Sequence, residues 1–247
     1  MCQQEISSNG WASMPADART IFGDKPFINN PGPLSIDEIE FPFSGSSCDQ
    51  NPGLRKEDPA PPNFEPLDEG LLLRLLGIAI AKQQFPERFS TLSPVTWALT
   101  CLLHDLGTAE ENLTATRMSF DIYGGIKALH ILKEFGATKD QAEAAAEAII
   151  RHQDLGVEGT LTFIGQLIQL ATIYDNVGNH PRVEDFGKLI HDATRAQINE
   201  AYPREKWCSV FGGIIRKEVR IKPWCHSTHL GKFDEEIEGN TLMKPWE

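Results

Sequence analysis

From Pro66 onward the apolar residues recur at three- and four-residue intervals, and the breaks between runs carry helix-capping chemistry, so this stretch reads as a series of helices. Leu71, Leu72, Leu75, Leu76, Ala79 and Ile80 form one stripe. The spacing predicts a second helix with Ser93 as its cap and Pro94 in its first turn, closing near Gly107. A third runs through YGGIKALHILKEF to Gly136, and a fourth opens with the capping box Thr138 to Gln141 and reaches about His152. FIGQLIQLATIYDNV forms a fifth before Gly178, and a sixth is expected from Asp185 to about Ala201, followed by a less regular, tryptophan-bearing tail. The fold class expected is mostly α.

The front of the chain breaks this pattern, because ten of the 16 prolines fall between Pro15 and Pro66. Residues 1–66 are expected to be an irregular N-terminal region. Within it, the Pro/Ser/Gly-rich stretch 44–66, SGSSCDQNPGLRKEDPAPPNFEP, has almost no apolar residue and reads as a loop. Residues 67–247 are expected to form the helical domain with a C-terminal tail.

Charge and composition narrow the function. With 23 Lys and Arg against 35 Asp and Glu, the formal charge is −12, which argues against a phosphate-backbone grip and so against nucleic acid as partner. At 40% hydrophobic and 23% charged, the 247 residues suit one globular domain with a substantial core. The longest apolar run, Gly70 to Ala81, is interrupted by Arg74 and is shorter than the roughly 20 residues of a membrane helix. MCQQEISSNGWAS lacks the basic lead and apolar core of a signal peptide, and five cysteines with no C-x-x-C spacing suit reduced thiols, so a cytoplasmic protein is expected. The partner expected is a small molecule, without a membrane; homo-oligomerisation is left open.

Candidate chemistry gathers at helix ends. In CLLHDLG, His104 and Asp105 stand side by side after an apolar helix face, and imidazole with carboxylate suits zinc, iron or manganese. Asp175 closes an otherwise apolar helix, where a carboxylate is costly unless paired or bound to an ion. IIRHQD places His152 and Asp154 at the end of the fourth helix. Against this, each histidine alone could simply complement the carbonyl end of its helix. Three helices ending in His, Asp or both are the pattern of a metal centre built between helices of a bundle. Thr108, one turn past His104 and Asp105, is placed to orient a substrate. His226 and His229 in WCHSTH have H-x-x-H spacing without helical context or a carboxylate nearby in sequence, and read mainly as tail packing. Gly124 and Gly125 lie inside a helical pattern and predict close helix packing.

The segments LSPVTWALTCLLHDLGTAEENLTATRMSFDIYGGIKALHIL, QAEAAAEAIIRHQDLGVEGTLTFIGQLIQLATIYDNVG and RKEVRIKPWCHSTHLGKFDEEIEGNTLMKPWE resemble the cyanamide hydratases, urea hydro-lyases of the HD-domain superfamily. The resemblance covers approximately Ser93 to Glu247, plus a short N-terminal stretch around NGWASMPADARTIF. It implies an HD-domain helical bundle holding a divalent metal, usually zinc, with Fe2+ or Mn2+ as alternatives, that adds water to cyanamide to give urea. By position, His104 and Asp105 match the metal-binding pair, Asp175 the distal aspartate and His152 the active-site histidine. The family pattern has a further histidine ligand on the preceding helix, and this chain has no histidine before His104. The matching place falls near Glu69 or Gly70, where Glu69 or Asp68 would offer oxygen instead. The resemblance therefore leaves two other readings open. One is a homologue with an incomplete metal site and no hydratase activity. The other is an HD-superfamily phosphohydrolase, for which Arg151 and Arg117 are the nearby cations.

Overall fold

The computed structural model describes residues 8–23, 32–40, 66–156 and 158–247, with the side chains of 66–69 outside that description. The loop expected at 44–66 lies outside the described residues except for the backbone of Pro66, and so do the side chains of Asp68 and Glu69.

The described elements are β1 (Ser13–Pro15), α1 (Ala18–Phe22), α2 (Ile36–Glu40), α3 (Pro66–Gln84), α4 (Pro86–Phe89) and α5 (Pro94–Leu103). There follow α6 (Glu110–Ala115), α7 (Phe120–Glu134), α8 (Lys139–Ile150), β2 (Thr160–Thr162) and α9 (Phe163–Asn176). The chain continues through α10 (Asp192–Ala201), α11 (Trp207–Ile221) and α12 (Phe233–Glu238). The protein is a mostly α bundle. No helix among the described residues is long and apolar enough to cross a membrane.

α3 is the central rod. The stripe seen in the sequence widens into burial on nearly every side, with Leu72, Leu73, Leu75, Leu76 and Ile78 to Ala81 all in the core. That requires neighbours all round, and α5, α9 and α10 supply them. All 14 residues of α9 are buried as well. β1 and β2 pair antiparallel, with Met14 opposite Leu161, and Met14, Phe22 and Ile39 join the same core. Residues 8–23 and 32–40 thus carry regular elements that pack on the bundle.

α7 and α8 pack closely along one another, and small residues allow it. A Cβ on Gly125 would lie 2.5 Å from Ile150 Cγ1 and 3.0 Å from the Ala146 carbonyl oxygen. One on Gly107 would lie 2.0 Å from the Phe120 carbonyl oxygen, so the turn after α5 can press on the head of α7 only because residue 107 has no side chain.

Three expected boundaries move. The second helix stops at Leu103 and a 3-10 turn follows at Leu106–Thr108, because His104 Nδ1 bonds back to the Cys101 carbonyl and Thr108 N–H to that of Asp105. The sixth helix is split: Asp185 adopts a left-handed conformation (φ 50°), a 3-10 turn spans Phe186–Leu189, and α10 begins only after His191 accepts from the Ala193 N–H. The tail is more regular than expected, since α11 runs for 15 residues and buries Cys208, Phe211, Gly212, Ile215 and Glu218.

Candidate active site

α5 is started by Ser93, whose hydroxyl accepts from the Thr96 N–H, and is anchored by buried Trp97 and Cys101. It delivers His104 and Asp105 to the bundle interior at 1% and 7% exposure. α8 is capped by Thr138 and packs through Ala142, Ala144, Ala145 and Ala148, which lets its end sink into the bundle and bury His152. α9 brings Asp175, fully buried, one residue before its own end.

The two imidazoles are oriented alike. His104 Nδ1 lies 2.7 Å from the Cys101 carbonyl, and His152 Nδ1 lies 2.6 Å from that of Ile149. A carbonyl can only accept, so both Nδ1 atoms carry the proton and both Nε2 atoms present lone pairs when the rings are neutral. Both Nε2 atoms turn toward Asp105, at 3.2 Å from Oδ2 for His104 and 3.7 Å from Oδ1 for His152. The rings stand edge to face with centroids 5.4 Å apart, and the Phe120 ring backs His152 at 5.7 Å.

Burial works to raise the Asp105 carboxyl, but the neighbouring His104, with Nε2 3.2 Å away, outweighs it and holds Asp105 below the usual carboxylate range. Burial pushes His152 down, against the pull of Asp105. The combination is an ionised carboxylate beside a neutral imidazole. Burial raises Asp175 in spite of Arg204, whose guanidinium donates to Asp175 Oδ1 and, at 3.2 Å, to the Asp175 carbonyl.

The donor chemistry suits a divalent ion. Imidazole lone pairs and a carboxylate facing one another in a buried space call for either a shared proton or a cation between them. Donors about 2.0–2.2 Å from a tetrahedral ion stand roughly 3.3–3.6 Å apart, near the His104 to Asp105 separation of 3.2 Å. Both Nδ1 atoms are fixed on backbone carbonyls, the usual outer support of metal-binding histidines. Neither oxygen of Asp105 and only one of Asp175 takes a hydrogen bond among the described residues. Convergence is partial. Among the described residues no three His, Cys, Asp or Glu groups close on one ion position, so the preformed unit is the pair His104 and Asp105, with His152 a step further out and Asp175 turned toward Arg204.

Two Saccharomyces cerevisiae proteins, named cyanamide hydratase DDI2 and cyanamide hydratase DDI3, are each 35% identical to this chain over 239 residues, 96% of this chain and 99% of each relative. This chain belongs to the cyanamide hydratase family. It is therefore an enzyme. No protein-family model matches it.

For this cyanamide hydratase family member, the structure brings His104, Asp105 and His152 together and buries Asp175 in the same bundle. The Thr108 hydroxyl donates to the Asp105 carbonyl at 2.7 Å, so its proton is spent on the turn. Asp154 pairs with Arg151 at 2.9 Å and with His226 at 3.3 Å. Arg151 is held by Asp154 and Glu147, and Arg117 is exposed, so neither is drawn to the buried histidines. Gly70 meets the α5 backbone, where a Cβ would lie 3.1 Å from Leu102 Cα.

Three residues escaped the sequence reading. Arg204 pairs with Asp175 from 29 positions away. Gln153, next to His152, is 3% exposed and neither atom of its amide has a hydrogen-bond partner among the described residues. A buried amide in that state is a signal only a structure can give. Asp121, fully buried at the head of α7, meets His226 Nδ1 at 2.5 Å. A cleft of about 1030 Å³ is lined by Leu155, Ile173, Asp185, Arg195, His229 and Leu242 among others, and by none of His104, Asp105, His152 and Asp175.

Proposed function

We propose that this protein hydrates cyanamide to urea, with His104, Asp105 and Asp175 holding a divalent metal, most simply zinc, and His152 carrying the proton. The observation that supports this most is the buried His152 imidazole, with Nδ1 held on the Ile149 carbonyl and Nε2 3.7 Å from Asp105, in a chain matching named cyanamide hydratases almost end to end. The His-Asp dipeptide at the end of α5 also fits membership in the HD-domain superfamily.

The reaction adds H2O across the carbon–nitrogen triple bond of N≡C–NH2 and yields the diamide. A bound ion would supply Lewis acidity that makes water nucleophilic near neutral pH. The protein's own groups must do the rest. Asp105, kept ionised, accepts from water and orients it. His152 Nε2, free of a proton because Nδ1 is bonded to the Ile149 carbonyl, takes the first proton released by water and delivers it to the nitrile nitrogen, which gives the isourea HN=C(OH)–NH2; the same relay then moves the remaining hydroxyl proton to that nitrogen and leaves urea. A neutral histidine suits both halves of that transfer, since it starts empty and ends empty. Glu69, whose side chain lies outside the described residues, is the proposed oxygen ligand in place of the family's first histidine.

The test is urea formation from cyanamide by purified protein, with metal content measured alongside. His152→Ala should keep the metal and lose turnover by roughly 10²–10⁴-fold. Metal-loaded parent protein that forms no urea would overturn the assignment.

A further inference from the structure

The His226-x-x-His229 motif takes no part in the chemistry above, yet the fold gives it partners from two separate segments. His226 opens the 3-10 turn His226–Leu230 that follows α11. Its Nδ1 meets Asp121 Oδ2 at 2.5 Å, its Nε2 meets Asp154 Oδ1 at 3.3 Å, and its backbone N–H donates to Ser119 Oγ at 2.8 Å. His229 stacks on it, with ring centroids 4.4 Å apart and planes 19° from parallel, and places Nε2 3.1 Å from the Gln153 carbonyl.

These contacts surround His152 without touching it. Gln153 and Asp154 are the two residues after His152, and Ser119 and Asp121 flank Phe120, whose ring packs on the His152 imidazole. Asp121 is fully buried, so its carboxylate needs a cationic or donating partner, and His226 supplies one. Simple packing of a tail would not demand that both nitrogens of one ring face carboxylates from different elements.

We propose that His226, braced by the stacked His229, is a positioning residue for His152: it locks the turn after α8 to the head of α7, so that His152 Nε2 stays aimed at Asp105. The proposal rests on the reading of His152 as proton carrier.

The test compares His226→Leu, which leaves two carboxylates without their bridge, with His226→Arg, which restores a cation between them. Two readouts are taken on the purified full chain: steady-state kinetics on cyanamide, and backbone amide hydrogen exchange. His226→Leu should lose kcat by ~10–100-fold with KM within about twofold, as expected for a misaimed group that still sees bound substrate. Exchange should rise in residues 151–156 and stay unchanged in α9, and His226→Arg should recover most of both effects. Unchanged exchange at 151–156, or unchanged kcat, overturns the proposal. Should His226→Leu fail to fold, Asp154→Asn cuts the same bridge at its half-buried end and is read by the same two measurements. A fully active His152→Ala protein removes the reading on which the proposal rests, whereas an inactive His152→Ala protein beside an unperturbed His226→Leu protein removes the clamp alone.

Discussion

Replacing Arg204 with methionine should be among the most damaging single changes outside the site itself. The Arg204 side chain is fully buried, and it donates to the Asp175 carboxylate, to the Asp175 carbonyl at 3.2 Å and toward Cys208 Sγ at 3.7 Å. Methionine fills much of the volume but donates nothing, so Asp175 is left as a buried, unpaired carboxylate. Breaking a buried pair from one side costs about 3–5 kcal/mol. For a domain of this size that lowers Tm by roughly 6–20 °C. Asp175 already stands above the usual carboxylate range through burial, and losing Arg204 raises it further. The penalty is therefore full above the raised folded-state pKa, fades as pH falls, and is gone below the unfolded value of 3.8, where both states are neutral. The assay is thermal unfolding of metal-free protein at several pH values in a double-mutant cycle with Asp175→Asn. The double variant should regain most of the loss, since the orphaned charge is gone. An Arg204→Met protein within about 1 kcal/mol of the parent at neutral pH would refute the reasoning.

Asp105→Ala should lose metal and turnover together, because it removes the carboxylate both imidazoles face; stoichiometric metal retained in that variant would take Asp105 out of the ion's coordination. His226, raised to about 10 mainly by its hydrogen bonds to Asp121 and Asp154, contributes stability that is complete below its unfolded value of 6.5 and is lost as pH climbs through 10. The parent should thus lose stability across that interval while His226→Gln stays flat, and parallel curves would count against the bridge. Gln153→Met removes two buried polar atoms that have no hydrogen-bond partner among the described residues, so it should be neutral or stabilising by ~1–3 kcal/mol while raising KM for cyanamide. A destabilised protein with normal KM would show that the amide serves the fold and not the substrate.

The bundle was legible because its helices announce themselves through period and caps: Ser93, Thr138 and the apolar run of α9 behave as their chemistry requires. His104, Asp105, His152 and Asp175 were legible for a related reason, since polar groups at the ends of buried helices stand out against an apolar background. Partnerships across the chain were not. His226 meets Asp121 across 105 positions, and nothing local marks either as the other's partner. The same holds for Arg204 and Asp175. α11 was hidden by Gly212 and Gly213, which depress local helix propensity that packing of Phe211 and Ile215 restores. The break before α10 depends on one left-handed residue, Asp185, a conformation that sequence permits without announcing.

The pairing of β1 with β2 has a consequence for synthesis. Met14 waits for Leu161, a partner roughly 150 residues downstream, and closing so long a loop costs ~4 kcal/mol of chain entropy before any contact offsets it. Translation at about 5–20 residues per second separates the two by roughly 7–30 s. During that interval Met14 and Phe22, core residues in the finished protein, have left the ribosome without α9 to receive them. The first strand to be made is in this way among the last to dock.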